Sequence, residues 1–356
     1  MMISFITIFL FPLIALSCLH TTIYGENTLQ DLSAFSDDFI IENRKIDIPG
    51  YPDAFNPSIV EYGDGYLMSF RHFTLEEEKK VSYIGLMRLN KDFSPKGTPV
   101  LLNTRTKHPA VPSRSEDARI FYVDGRLYVV YNDDVSPKNN TPRKMYYAEI
   151  LETDESFICT APLRLSSNAG PLHRDEKNWI PFDFDGQLYF SYSINPHKIL
   201  YPTNQTNHYS ARYSTHGDIE WNWGELRGGT PAVLFEDSYV AFFHSMNYIK
   251  SIYSDDEEKY HYYMGAYLFE PEPPFNVTHM SATPILGMGL FESDKPREKV
   301  VVFPGGFVAD DHYFWVVYGK DDSECWVVKL DKFQLINTLV SVNTRKVSVH
   351  VESREY

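Results

Sequence analysis

The 356-residue sequence contains very little cysteine, with three residues in all. Cys18 lies in an apolar N-terminal stretch, so Cys159 and Cys325 remain for the body of the chain. Two cysteines exclude a disulfide-rich scaffold and allow either one disulfide or two buried free thiols; both alternatives stay open. No histidine constellation accompanies them, so no metal site is expected.

The sequence also lacks sustained helical periodicity. No segment repeats apolar residues every 3.6 positions between helix caps, so few helices are expected. No glycine-rich loop opens a helix, which argues against a nucleotide phosphate site. A Gly-x-Ser-x-Gly motif is missing too, which argues against a serine hydrolase built on a nucleophile elbow.

Positive charge is scarce. There are 33 lysines and arginines against 48 aspartates and glutamates, which gives a net charge of −15. This balance argues against nucleic acids and anionic membranes as the main partners. Aromatic residues are plentiful instead, with 25 tyrosines and 24 phenylalanines. They favour β-strands and surfaces that bind sugar rings.

The N-terminal residues are typical of a targeting segment. The stretch Ile3–Leu19 is almost entirely apolar but short for a membrane span, and Pro12 interrupts it. We interpret residues 1–25 as a secretory signal peptide, with a retained N-terminal anchor as the alternative. The protein is therefore expected to be secreted or exported, without a further transmembrane segment. Residues 26–43 are expected to be a polar lead-in and 44–356 a single catalytic domain.

A repeat organises the remaining chain. An acidic turn followed by an apolar and aromatic strand occurs five times, beginning at Asp64, Asp124, Asp185, Glu236 and Asp310. The spacing of about 50 to 75 residues is in the range of propeller blades. The prediction is an all-β fold, a five-bladed β-propeller whose blades are four-stranded antiparallel sheets. A two-sheet sandwich is the competing fold.

A cluster of charges precedes the second of these hairpins. Arg114, Glu116, Asp117 and Arg119 stand within six residues, just before an apolar strand. Charges at the mouth of a buried strand are costly unless they pair or meet a ligand. Because a propeller gathers one loop from each blade around a central funnel, polar motifs of the five blades are expected to converge there.

Taken in order, the motifs resemble glycoside hydrolase family 130, a family of five-bladed propellers that includes β-mannoside phosphorylases and β-mannosidases. The resemblance extends from about Asn56 to Leu330. The matching segments are Ser115–Arg119 (resembling Glu-Asp-Pro-Arg), Glu176–Asn178, Phe242–His244, Tyr263–Leu268, Val301–Gly306 and Tyr318–Ser323.

The resemblance implies an inverting, carbohydrate-active enzyme acting on an oligosaccharide or glycan. Asp117 takes the place of the catalytic general acid, and burial or its neighbour Glu116 is expected to raise its pKa. Lys177 and His244 match positions that bind inorganic phosphate, a possible co-substrate, and no cofactor is implied. The alternatives are a surface lysine at 177 and a core histidine at 244.

Further residues are implied to bind the sugar. Arg119 would pair with a carboxylate and hold the loop, or contact the sugar. The others are Asn56, Arg71 and Asp322, which would hydrogen-bond sugar hydroxyls, and Trp179 and Tyr318, which would offer ring faces.

The reaction type stays open. Family phosphorylases carry an arginine near the position of Ser193–Asn195, and losing a cation weakens the binding of phosphate. Hydrolysis needs instead a carboxylate base, for which the candidates are Glu225, Glu236, Asp310 and Glu324. Mannosyl transfer is a third possibility, and a secreted propeller that binds glycans or proteins without turnover is a fourth. The sequence does not define the oligomeric state.

Overall fold

The computed structural model describes residues 36–349, apart from 77–78, 106–113, 135–141, 155, 172–173, 251–253, 255–256, 288 and 295. Nearly all of the regular structure in the described part is β-strand, which confirms the all-β prediction. The predicted signal peptide lies outside the described residues. Within the described residues, no helix has the length and apolar character needed to span a bilayer.

The described elements are 26 strands and one helix, α1 (Lys332–Thr338). In chain order the strands are β1 (Ile40–Ile46), β2 (Phe55–Tyr62), β3 (Gly65–Glu76), β4 (Lys79–Leu89), β5 (Pro95–Leu101), β6 (Glu116–Val123), β7 (Arg126–Asp133), β8 (Lys144–Glu152), β9 (Phe157–Cys159), β10 (Leu163–Arg164), β11 (Ser166–Ser167), β12 (Ile180–Phe184), β13 (Gln187–Ile194), β14 (His197–Pro202), β15 (His208–Gly217), β16 (Glu225–Gly228), β17 (Val233–Phe235), β18 (Ser238–Lys250), β19 (Glu258–Phe269), β20 (Val277–Met280), β21 (Lys299–Val300), β22 (Val302–Ala309), β23 (Tyr313–Lys320), β24 (Glu324–Asp331), β25 (Val340–Ser341) and β26 (Thr344–Val349).

These strands pair into five sheets, which we number in chain order. The first has the order β2-β3-β4-β5, and the second has β6-β7-β8-β10 with β9 also on β8. The third has β12-β13-β14-β15, with β11 and β26 on β15. The fourth has β16-β18-β19-β20-β25, with β17 on β18 and β21 on β19, and the fifth has β22-β23-β24-β1.

Five clusters of buried apolar side chains lie between these sheets, and each cluster draws on two of them. The first and second sheets share one, as do the second and third, the third and fourth, and the fourth and fifth. The remaining cluster returns to the start, since Val308 and Val317 of the fifth sheet pack with Ile59 and Met68 of the first. This cyclic packing is the arrangement of propeller blades.

Tight turns at one end of the molecule follow from the acidic repeats. Asp124 and Asp185 adopt φ angles of 49° and 53°, and the glycine after each is also left-handed, at 71° and 70°. Two left-handed residues in succession suit the two-residue hairpin turns that match strand twist. These turns follow β6 and β12, the first strands of the second and third sheets. The loops that precede β6 and β12 therefore lie at the opposite end of the molecule, where the funnel is expected.

The chain begins its ordered fold earlier than expected. Strand β1 starts at Ile40, inside the segment assigned to a polar lead-in, and pairs antiparallel with β24 at the outer edge of the fifth sheet. Only Ile46 of this strand is buried, because an edge strand needs few apolar side chains. The domain boundary at residue 44 is therefore too late.

Both described cysteines are free thiols. Cys325 is buried in the cluster between the fifth and first sheets. Cys159 is half-buried, and its Sγ lies 3.2 Å from the carbonyl oxygen of Asn103. The disulfide alternative is thus wrong, and only one of the two thiols is fully buried.

Candidate active site

Two β-bulges bring side chains of the first and second sheets together at the funnel. The pairing of β2 shifts between Phe55 and Ser58, and that of β6 shifts between Glu116 and Arg119. Inside these bulges Asn56 and Asp117 have φ angles of 48° and 54°. Such bulges redirect a side chain at the cost of backbone strain. As a result, Asn56 Nδ2 donates to Asp117 Oδ1 over 2.9 Å.

Arg71 of β3 contacts both carboxylates of the charge cluster. Its Nη2 forms an ion pair with Glu116 Oε1, and its Nη1 lies 3.4 Å from Asp117 Oδ1. Its guanidinium lies over the rings of Phe55 and Phe73, at 5.1 and 4.4 Å from their centroids. Because these contacts hold the guanidinium of Arg71 in one position, it fixes the positions of the Glu116 and Asp117 carboxylates relative to each other.

The two carboxyls differ in protonation. Burial raises the pKa of Glu116, and the charge of Asp117 adds to this effect against the opposing charge of Arg71. Burial also acts to raise the pKa of Asp117, but Arg71, Arg119 and the hydrogen bond from Asn56 together lower it. The expectation of a raised pKa at Asp117 is therefore wrong, and the carboxyl with the raised pKa is its neighbour Glu116.

Arg119 is a structural connection between sheets, since only 1% of the residue is exposed. Its Nε donates to the carbonyl of Gly229 over 2.8 Å and its Nη1 to the backbone oxygen of Asp117 over 2.5 Å. Its Nη2 lies 3.3 Å from Asn178 Oδ1. It therefore holds the Asp117 loop, as expected, through a hydrogen bond to backbone oxygen, and its charge also acts on the Asp117 carboxyl. Its burial leaves no exposed surface for contact with a sugar. Burial lowers its pKa to about 10.

The fifth sheet contributes an acidic residue on the far side of the funnel. Asp322 has a φ angle of 51° and its Oδ2 lies 3.6 Å from Lys299 Nζ. Burial raises the pKa of Asp322, Lys299 lowers it and the charge of Asp117 raises it. The side chain of Asp322 is nevertheless 42% exposed. The charge of Asp117 therefore acts on a carboxyl that solvent can still reach.

Lys177 and His244, the two residues matched to phosphate binding, differ in charge and in exposure. Lys177 is exposed, makes no hydrogen bond or ion pair to the described residues, and lowers the pKa of both Glu116 and Asp117. His244 is buried between the rings of Phe303 and Tyr262, at 4.7 and 5.8 Å. Burial and the charge of Arg119 lower its pKa to about 3, so the imidazole is neutral.

Two of the predicted sugar-binding aromatics do not reach the funnel. Trp179 packs against Phe190 between the second and third sheets, and its Nε1 donates to Glu176 Oε2 over 3.0 Å. Tyr318 is fully buried between the fourth and fifth sheets and donates to Asn43 Oδ1 over 2.9 Å. Neither ring has an exposed face, so the prediction of sugar contact is wrong for both.

Several residues of the site carry no motif that sequence reasoning could use. Arg143 Nη2 lies 2.7 Å from Glu116 Oε1, although it is separated from that residue by a hairpin. Lys299 and Tyr262 were missed as well. Lys299 lowers the pKa of Asp322, and the charges of Asp322 and Asp117 raise the pKa of Tyr262. These effects depend on how the fourth and fifth sheets pack together.

A cavity of about 790 Å³ opens beside Lys177, between the third and fourth sheets. Ser193, Asn195, Arg227 and Glu225 also line it. Glu225 accepts two hydrogen bonds from Arg227, of 3.1 and 2.7 Å, and is the only one of the four candidate bases on this lining.

The other three candidate bases lie elsewhere. Glu236 is in the turn between β17 and β18. Asp310 is in the corresponding turn of the fifth sheet, where its Oδ1 accepts hydrogen bonds from the backbone N–H groups of His312 and Tyr313. Glu324 pairs with Lys45 over 3.1 Å at the sheet edge.

Neither a protein-family model nor a curated protein matches this sequence. Solved structures do match its fold. A β-1,2-mannobiose phosphorylase from Listeria innocua is 17% identical, with a TM-score of 0.56 over 83% of this chain and 92% of that chain. A mannose phosphorylase from Leishmania mexicana, solved with a phosphate ion, is 14% identical, with a TM-score of 0.56 over 86% and 92%.

A third structure comes from work on glycoside hydrolases of family 130 that target β-1,2-mannosidic linkages in Candida mannan. It is 14% identical, with a TM-score of 0.57 over 83% of this chain and 92% of that chain. The fold of this chain is therefore similar to the β-propeller fold of those mannoside phosphorylases and glycoside hydrolases. At this level of identity the likeness is one of fold.

Proposed function

We propose that this protein is a carbohydrate-active enzyme that cleaves β-linked mannosides, with Asp117 as its general acid. The observation that carries the proposal is the setting of Asp117. A left-handed bulge turns its carboxyl toward Asn56 and Arg71 of the neighbouring sheet. The shared fold adds support, since the solved structures named above act on mannosides.

In this mechanism the proton for the leaving oxygen belongs to a pair of carboxyls. Asp117 has a lowered pKa and is ionised at neutral pH, whereas Glu116 has a raised pKa. A bound sugar removes water from Asp117, and desolvation raises the pKa of a carboxyl. Because Arg71 contacts both groups, the two carboxyls titrate as a unit, and the bound complex holds a proton near the glycosidic oxygen.

The two residues matched to phosphate binding favour hydrolysis over phosphorolysis. A phosphate dianion is held chiefly by charge-assisted hydrogen bonds. Lys177 can offer one, whereas His244 is neutral and Arg227 is already bonded to Glu225. We therefore propose Glu225 as the base that activates water in an inverting reaction. Transfer to phosphate or to a second sugar is the alternative outcome.

A panel of β-mannosides, assayed with and without inorganic phosphate, tests both the substrate class and the reaction. We expect Asp117→Asn to lower kcat at least about 100-fold, because an amide cannot supply the proton, while affinity is kept. Asp124→Asn, in a turn at the opposite end of β6, is the control and should retain activity. Products that require phosphate would identify a phosphorylase. Binding without any product would identify a glycan-binding propeller and contradict the proposal.

A further inference from the structure

The hairpin of β18 and β19 carries a row of aromatic side chains away from the candidate site. These strands have 13 and 12 residues, whereas the innermost strands β2, β6 and β22 have eight. Met246 pairs with Tyr262 and Tyr248 pairs with Tyr260 across the hairpin. Since side chains alternate along a strand, these four residues share one face with His244.

Exposure increases along this row. His244 is 1% exposed at its inner end, while Tyr248 and Tyr260 are 52% and 43% exposed at its outer end. The last two rings lie 4.9 Å apart at an angle of 57°. Tyr260 is two residues from Tyr262 along β19, which corresponds to about 7 Å of strand. The row therefore leads from the buried site to solvent in steps comparable to a sugar unit.

The opposite face of the hairpin is covered by the protein itself. His261 and Tyr263 are fully buried there, and the ring of Tyr263 packs against Trp223 at 5.2 Å and Phe291 at 6.0 Å. Packing on that face is sufficient to hold the hairpin. The exposed tyrosine pair lies on the other side, so the hairpin's packing does not account for it.

The inner end of the row belongs to the candidate site. Tyr262 lies parallel to His244, with 5.8 Å between ring centroids and 15° between planes. Burial raises the pKa of Tyr262, Lys299 lowers it, and the charges of Asp322 and Asp117 raise it. The stacking on His244 places the Tyr262 ring at the inner end of the row, and Tyr260 follows it outward on the same strand.

We propose that Tyr248 and Tyr260 form a platform that binds further sugar units of a β-mannoside longer than a disaccharide. The inference rests on the proposed function, since the row starts at the site assigned to cleavage. A tyrosine offers an apolar ring and a hydroxyl, which match the apolar face and the hydroxyl groups of a sugar. The adjacent Lys259 is already paired with Glu257 over 3.4 Å, so a neutral ligand fits the platform better than a charged one.

The test compares substrates of two, three and four β-linked mannose units. For the wild-type protein we expect kcat/KM to rise with length. In the double variant Tyr248→Ala/Tyr260→Ala, the ratio of kcat/KM for the tetrasaccharide to that for the disaccharide should fall about tenfold. Replacing both tyrosines by phenylalanine keeps the rings and should retain most of the ratio. Tyr122→Ala is the matched control, because Tyr122 is 40% exposed and lies at the end of β6 that is remote from Asp117.

A direct binding measurement separates the two proposals. Calorimetry of the Asp117→Asn protein with the tetrasaccharide should give about tenfold weaker binding when the tyrosine pair is removed. An unchanged ratio and unchanged binding, or an equal loss in Tyr122→Ala, would overturn the platform while leaving the proposed function intact. Absence of turnover of every length, with tyrosine-dependent binding retained, would overturn the proposed function and keep the platform. If the tyrosine pair instead captured lipid vesicles or proteins and had no effect on sugar binding, the sugar platform would be overturned.

Discussion

At the scale of single residues, the charged side chains of the candidate site already have partners within the protein. Arg71 is shared by Glu116 and Asp117, and Arg119 is committed to backbone oxygens. The short sequence between Glu116 and Arg119 was enough to predict a cluster of charges that must pair, and the structure shows such pairs. It could not indicate which partner each charge meets, because Asn56, Arg71 and Arg143 come from distant parts of the chain.

Arg119→Ala should destabilise the fold by about 3 kcal/mol. The change leaves the carbonyl of Gly229 and the amide of Asn178 without their buried donor. Urea unfolding measures the difference. Arg126→Ala is the control, since Arg126 forms an exposed pair with Glu149 and should change stability far less than Arg119→Ala does. Equal effects of the two variants would contradict the role assigned to Arg119.

Buried neutral histidines should make the protein sensitive to acid. Burial lowers the pKa of His197 to about 4, and burial with nearby cations lowers those of His244 and His261 to about 3 and about 4. The unfolded chain binds protons on these groups near pH 6.5, whereas the folded chain does not, so stability falls as pH decreases from 6.5 toward 4. Urea midpoints across this range measure the effect. In His197→Gln the pH dependence should be shallower, and an unchanged slope would contradict this account.

At the scale of elements, the repeated acidic turns predicted the hairpins well, because the turn chemistry is local. The faces of individual strands were harder to predict. Trp179 and Tyr318 stand beside motif residues, yet both point between sheets, since alternation alone does not say which side of a blade faces a ligand. The left-handed bulges at Asn56 and Asp117 also have no reliable sequence signal, although they create the site.

Gly319→Ala tests the bulge of β2 without removing any polar group. A Cβ atom at this position would lie 2.0 Å from Asn56 Oδ1 and 2.8 Å from Asn56 N, so Asn56 must move away from Asp117. We expect kcat/KM to fall at least about tenfold. Gly125→Ala, a left-handed turn glycine with open space around it, should lower stability by about 1 kcal/mol and keep activity. Equal activity in both variants would show that the Asn56 contact is dispensable.

At the scale of the whole molecule, the five sheets pack in a cycle that both ends of the chain complete. The fifth sheet takes three strands from the C-terminal part and β1 from the N-terminal part. Composition and the spacing of the repeats were enough to predict a ring of sheets. They could not predict β1, because its polar alternating residues are typical of an edge strand and of a linker alike.

A chain that starts at Asp47 should be markedly less stable than one that starts at Ser36. Removing β1 exposes the edge of β24 and takes Ile46 out of the cluster between the fifth and first sheets. Loss of one buried isoleucine alone is worth about 2–5 kcal/mol. Thermal melting of the two proteins measures the difference. Matching melting temperatures would contradict the assigned role of the strand.

The pairing of β1 with β24 also orders events during synthesis. Ile40 pairs with Leu330 across the ladder, so β1 is synthesised long before β24, the strand that it pairs with. The fifth sheet can be completed only after β24 emerges, whereas the first and second sheets can already form while translation continues. Until that moment β1 has no partner strand, and its unpaired edges are open to chaperones and to aggregation.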